Sequence, residues 1–225
     1  MKRRGIGTVV GLLGDEARSL NKPYIKFITR KVPYVTVKMA ESLDGKIATR
    51  RGDSRWITSD AARRYVHSLR AKVDAVMVGA NTVIRDDPLL LSRTSAEKQP
   101  VRIVVCGSRR IPRDSRIFSK TDISPVITAR SKNGRVGLRR LLKELAKMEI
   151  AHVLVEGGGS LVASLVEEGL VDRFLFFIAP KIIGGALAPT PVEGNGIARM
   201  GQAMNLKIVR IKRFEKDIMI EAEPL

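Results

Sequence analysis

The stretch "HVLVEGGGSLVASLVEEG", residues 152–169, decides the fold. An apolar, β-branched run over 152–155 reads as a buried strand and leads through Glu156 into Gly157, Gly158 and Gly159. Ser160 then opens a segment of helical character over about 160–168. Strand, glycine turn and helix in that order is the repeating unit of α/β sheets. The glycines permit close backbone approach, and the first amides of a helix attract anions. Taken alone, the turn fits a phosphate cradle and tight packing equally well. It is neither G-x-G-x-x-G nor a Walker loop, since no G-K-[ST] follows.

Working outward, the same grammar recurs. "VPYVTVKMA" (32–40) reads as a strand, followed by a loop turning at Asp44-Gly45. Thr58 and Ser59 are N-cap candidates for a helix over about 60–71, with Ala62, Val66 and Leu69 at helical spacing. Strands follow at 73–79, 101–107 and 124–129, then an amphipathic helix over 137–148. Beyond the opening stretch come a strand over 172–180, a long loop "KIIGGALAPTPVEGNG", and an antiparallel hairpin turning at Glu215-Lys216-Asp217. The order predicts an α/β fold: a mixed, mostly parallel sheet with flanking helices and a C-terminal antiparallel hairpin. Residues 33–225 form one expected domain. Residues 1–32 show no clean period and are expected as a basic extension, disordered or serving as an added contact surface.

Composition narrows the function classes. The net charge is +18, of which 1–32 contribute six (eight basic against two acidic residues) and the remainder twelve. The excess is spread, aromatics are 4%, and no basic-helix or RNA-recognition motif appears, so nucleic acid is not the expected partner. A basic surface also suits a polyanionic small molecule. No run of 18 apolar residues suggests a membrane span, and the glycine-diluted N-terminus does not read as an export signal. The single Cys106 reads as a small core residue and points to a reducing, cytoplasmic compartment.

In open α/β sheets ligands bind beyond the carboxyl ends of strands, which singles out the loops at 40–56, 79–93 and 107–113. Gly79, Asn81 and Thr82 offer small and hydrogen-bonding side chains there. Arg70 and Arg93 flank the segment as a candidate phosphate clamp. Asp86 and Asp87 lack the carboxylate or histidine neighbours of a metal site and fit a turn rigidified by Pro88, one carboxylate accepting amide hydrogen bonds. His67 and His152 are too isolated for a metal centre or triad. No metal is expected.

"VTVKMAESLDGKIAT", "GDSRWIT", "LRAKVDAVMVGANTVIRDDPLLLSR", "VRIVV" and "VLVEGGGSL…GLVDRFLFFIAPKIIGG" together resemble the riboflavin-biosynthesis pyrimidine reductase family over about 33–222. The resemblance implies a dihydrofolate-reductase-like fold and reduction of a phosphorylated ribosylaminopyrimidine by NADPH, with NADH as the lesser option. The zinc-deaminase signature is missing from this chain. The nearest form is therefore the stand-alone archaeal type, whose implied substrate is 2,5-diamino-6-ribosylamino-4(3H)-pyrimidinone 5′-phosphate. Carried over, Ala40, Trp56, Gly79, Thr82 and Asp86 lie along the cofactor, and Gly157, Gly158, Gly159, Ser160 and Leu161 cradle its pyrophosphate. Ser54, Arg70, Leu90 and Arg93 hold the substrate, and Lys38 and Glu156 face its ribose as catalytic groups. A 2′-phosphate would need a cation, for which "CGSRRIP" offers Ser108 and Arg109. The resemblance also implies a homodimer, with "FLFFIAP" as a candidate interface strand. The alternatives are a pterin or folate reductase on the same fold and, from another class, a basic nucleic-acid-binding protein.

Overall fold

The computed structural model describes residues 7, 9, 11–94, 98–131 and 133–225. Eight strands form a single sheet in the order β4-β3-β2-β5-β1-β6-β8-β7. They span β1 Tyr34–Ser42, β2 Ala75–Gly79, β3 Val101–Gly107, β4 Val126–Arg130, β5 His152–Val155, β6 Arg173–Ala179, β7 Leu206–Phe214 and β8 Asp217–Pro224. Pairing is parallel from β4 through β6 and antiparallel for β6–β8 and β8–β7, as the sequence predicted. The helices are α1 Gly14–Leu20, α2 Lys22–Arg30, α3 Asp60–Arg70, α4 Ala80–Asp86, α5 Leu138–Lys147 and α6 Gly159–Glu167.

Each face of the sheet has its own cause. The pleat sends Val35, Val37 and Met39 of β1, with Val153 and Val155 of β5, to the side covered by α5 and α6. There Leu138, Leu142 and Leu145, spaced to share one stripe, close the core. On the opposite side α3 packs Ala62 and Val66 against Leu175, Phe177 and Met219. Ser59 is the cap of α3: its Oγ accepts from Ala62 N (3.3 Å), while its own N–H donates to the buried Asp217 carboxylate (2.5 Å). The helix start is thereby tied to the C-terminal hairpin.

Three expectations are corrected. Residues 79–93 were expected as loop, but Ala80–Asp86 is a helix; Ala80 and Val83 bury one side of it while the rest of the segment stays polar, which hides the helical period. "FLFFIAP", the candidate interface strand, offers no sheet edge to a second copy: β6 lies inside the sheet between β1 and β8, and Phe174, Leu175 and Phe177 are core. The exposed edge is β7 instead, where only Phe214 is buried. Lastly, the N-terminal stretch without clean period contains α1 and α2. Lys26 pairs with Asp172 (2.6 Å) and Lys22 with Glu223, and Asp172 also accepts the Val35 amide (2.7 Å). These ionic ties carry no apolar period, so the pattern search passes over them. Residues 1–6, 8 and 10 of that stretch lie outside the described residues.

Candidate functional site

The carboxyl ends of β3, β2, β5 and β1 stand side by side, and their loops enclose two cavities. One, of about 240 Å³, runs from Gly107, Ser108 and Arg109 past Gly79 to Gly158, Ser160 and Leu161. The other, of about 140 Å³, is walled by Ala48, Ser54, Thr82, Asp86, Gly159 and Glu193. Both touch Asn81, Gly158 and Ser160, so they meet over the first turn of α6.

Glycine makes this close assembly possible. Gly79 N–H donates to Gly157 O (2.9 Å), and a methyl on Gly79 would lie 3.7 Å from Leu161 Cβ. A methyl on Gly158 would lie 3.3 Å from Thr82 Oγ1. The Gly157–Gly158 peptide is cis. At the far end, Gly107 takes a positive φ of 57°, and a methyl there would come within 2.4 Å of Gly134 O. The β3 and β4 loops are therefore in backbone contact, which brings Arg135 into the same cavity as Arg109.

Beneath α3 lies a polar cluster. Arg70 grips Glu156 bidentately, Nε to Oε1 at 2.6 Å and Nη2 to Oε2 at 2.9 Å, and donates its Nη1 to Leu91 O (3.1 Å). Burial alone would raise the Glu156 carboxyl, but Arg70, with Lys38, overrides it and holds the group far below its usual range. The Lys38 ammonium is pulled down by burial and by Arg70, and only partly restored by Glu156. Glu156 is thus a fixed anion, whereas Lys38, its pKa lowered by burial, is more readily deprotonated than an ordinary lysine would be. His67, one turn before Arg70, places Nδ1 3.2 Å from Leu91 O. Burial, then the Arg70 and Arg93 cations, depress its pKa.

The structure gathers most of the candidates and sets others apart. Ser54, Thr82 and Asp86 share the smaller cavity, with Ser54 Oγ 3.3 Å from Asp86 Oδ1. Burial raises the Asp86 carboxyl against that hydrogen bond and two nearby arginines. Asp87 instead accepts the Arg116 amide (2.7 Å), so the neighbouring aspartates divide into a cavity wall and a loop anchor. Ala40, Trp56, Leu90 and Arg93 line neither cavity. The Leu90 side chain is core at 3% exposed, whereas Trp56 is 64% exposed with Arg63 stacked on its ring. Arg70, read as a phosphate clamp, commits three of its five N–H groups to Glu156 and Leu91. Sequence reasoning missed Arg135, Glu193 and the place of His67. The carboxyl-end rule covers the loop of Arg135, and the three-residue step to Arg70 puts His67 on the same helix face. Glu193 gave no signal. Among the described residues no cluster of three or more metal-ligating side chains occurs, and no helix is long and apolar enough to cross a membrane.

Mostly parallel sheet, antiparallel hairpin and elongated cleft define a dihydrofolate-reductase-like protein; the dihydrofolate reductase of Enterococcus faecalis superposes with a TM-score of 0.50 at 11% identity, a likeness of fold alone. More particularly, the chain belongs to the family described as RibD C-terminal domain, which matches residues 33–220. The riboflavin biosynthesis protein RibD of Actinobacillus pleuropneumoniae is 38% identical over 98% of this chain and 65% of its own length. A solved Thermotoga maritima protein, titled diaminohydroxyphosphoribosylaminopyrimidine deaminase/5-amino-6-(5-phosphoribosylamino)uracil reductase, superposes with a TM-score of 0.85 at 29% identity. That alignment covers 100% of this chain and 66% of the other. The chain spans just under two thirds of the length of these relatives.

Proposed function

We propose that the protein reduces the ribosyl group of a phosphoribosylaminopyrimidine to a ribityl chain, using NADPH. The observation that carries this reading is the pair of cavities meeting over the glycine turn of α6, the turn that follows Glu156 in the chain. The residues fit a dinucleotide: side-chain-free glycines border the helix start, and the larger cavity ends between Arg109 and Arg135, cations suited to a 2′-phosphate. When bound, NADPH supplies the hydride.

The chain's own groups do the rest. The Lys38 ammonium is the proton donor to the sugar ring oxygen as the ribosylamine opens to an imine. Glu156, held ionised, opposes the loss of charge that burial imposes on Lys38 and orients the sugar hydroxyls. Arg70 fixes Glu156, which leaves the exposed Arg93 to meet the substrate phosphate. The sequence reading favoured the 2,5-diamino substrate of the archaeal type, whereas the Thermotoga relative is named a reductase of the uracil form. A cytoplasmic setting belongs to the same reading. So does pairing of two copies through the exposed Ile208, Val209 and Ile211 of edge strand β7, which light scattering at micromolar concentration tests.

The deciding assay is NADPH oxidation with the diamino and uracil ribosyl phosphates, with dihydrofolate as control. Turnover of either ribosyl phosphate alone supports the reading; turnover of dihydrofolate alone replaces it with a pterin reductase. Arg109→Ala and Arg135→Ala lower the preference for NADPH over NADH, and an unchanged ratio in both removes the 2′-phosphate assignment.

A further inference from the structure

The long loop after β6 lines the smaller cavity through Pro189 and Glu193. It is pinned along its length: the Asp44 carboxylate accepts the amides of Ile183 (3.0 Å) and Gly184 (2.7 Å), and Ile47 N–H donates to Pro189 O (3.0 Å). The pinning ends at Glu193, whose amide donates to Gly159 O (3.3 Å) and whose carboxylate accepts the Ser160 hydroxyl at 2.5 Å. Contact is close enough that a methyl on Gly159 would lie 2.7 Å from Glu193 Cγ and 2.9 Å from its carboxyl carbon.

An internal carboxylate therefore rests against the first turn of α6, on a hydroxyl facing both cavities. This helix start favours negative charge, and Glu193 supplies it from within the chain. The same side chain narrows the cavity. Its volume is about 140 Å³, and it joins the larger cavity at Ser160, so a ligand spanning both meets the hydroxyl that Glu193 occupies. Of the walls, α4 is packed into the core through Ala80 and Val83 and α6 through Leu161, Val162 and Leu165, while the Glu193 side chain is held by one hydroxyl.

We propose that Glu193 is an affinity-setting residue for the cofactor: its carboxylate stands in for a dinucleotide phosphate at Ser160 and must give way before the cofactor seats. The inference rests on the cleft being the dinucleotide site. Its consequence is that the negative charge of Glu193 opposes binding twice, by occupying the Ser160 donor and by repelling the incoming pyrophosphate.

The test is equilibrium titration with NADPH alone, followed by the cofactor's own fluorescence, on the wild type, Glu193→Gln and Glu193→Ala. Both variants should bind roughly threefold to tenfold more tightly than wild type, and the gap should narrow in 0.5 M salt as the charge is screened. Thermal midpoints within a few degrees of wild type establish that both variants fold. Equal or weaker binding by the folded variants overturns the proposal while leaving the cleft assignment standing. Absence of binding in all three proteins removes the cleft assignment and the proposal together.

Discussion

Replacing Glu156 by Gln isolates the electrostatics of the cluster under α3. The two side chains are only 14% and 8% exposed, so solvent screens their contact weakly. A carboxyl moved from its ordinary 4.5 to about 2 stores about 3 kcal/mol in its ionised form. That agrees with the 3–5 kcal/mol lost when one partner of a buried ion pair is removed. For a chain of 225 residues this corresponds to a fall in Tm of about 6–12 °C near pH 7. The partner variant, Arg70→Met, should cost less, because the abandoned Glu156 can take up a proton whereas an abandoned guanidinium cannot lose one. The sign in pH follows: a depressed carboxyl stabilises the fold fully above 4.5, and the contribution disappears as pH falls towards 2. Urea midpoints measured from pH 6 to pH 2 should therefore decline more steeply for wild type than for Glu156→Gln. Parallel curves, with a Tm change under about 2 °C for the glutamine variant, would refute the assignment of the pair as a stabilising element.

Further outcomes follow from the same geometry. Lys38→Met should lower the single-turnover rate of reduction by about 10²-fold or more with NADPH affinity unchanged, and a near-normal rate removes Lys38 from the chemistry. Because burial already pulls Lys38 down and Glu156 opposes this, the alkaline fall in rate should come below the ordinary lysine value of 10.5, and lower still in Glu156→Gln. Gly107→Ala places a methyl 2.4 Å from Gly134 O and should part the two arginine loops, weakening NADPH binding more than NADH binding in parallel titrations. Burial raises the Glu41 carboxyl to about 7, so its contribution is complete below 4.5 and is lost as pH rises through 7. Glu41→Gln should therefore raise Tm at pH 8 and leave it unchanged at pH 4, as calorimetry at the two pH values will show.

The sheet was legible because its strands are short apolar runs between glycine and proline punctuation. "VDAVMVG" and "HVLVEGGG" need no tertiary knowledge to read. Helix α4 was not, because one apolar side over seven residues is too little period to outvote Asn81, Asp86 and Asp87. Within the site, backbone-based features carried over: a glycine next to a strand end has few roles, and Gly158 borders both cavities. Side-chain roles carried over less well. Whether Arg70 meets a ligand phosphate or an internal carboxylate depends on Glu156, 86 residues along the chain, and spacing does not encode that distance. Glu193 is hidden for the same reason, being brought to Ser160 by a loop whose path is set by Asp44.

The ties between α2 and the blunt end of the sheet bear on how the chain is cut for study. A fragment begun at residue 33, where the family match starts, would leave Asp172 without Lys26 and Glu223 without Lys22. Asp172 also accepts the Val35 amide of β1, so the damage would reach a central strand rather than stay at a frayed tip. Expression trials are better served by starting ahead of Lys22, since a shorter piece discards the counter-charges of Asp172 and Glu223.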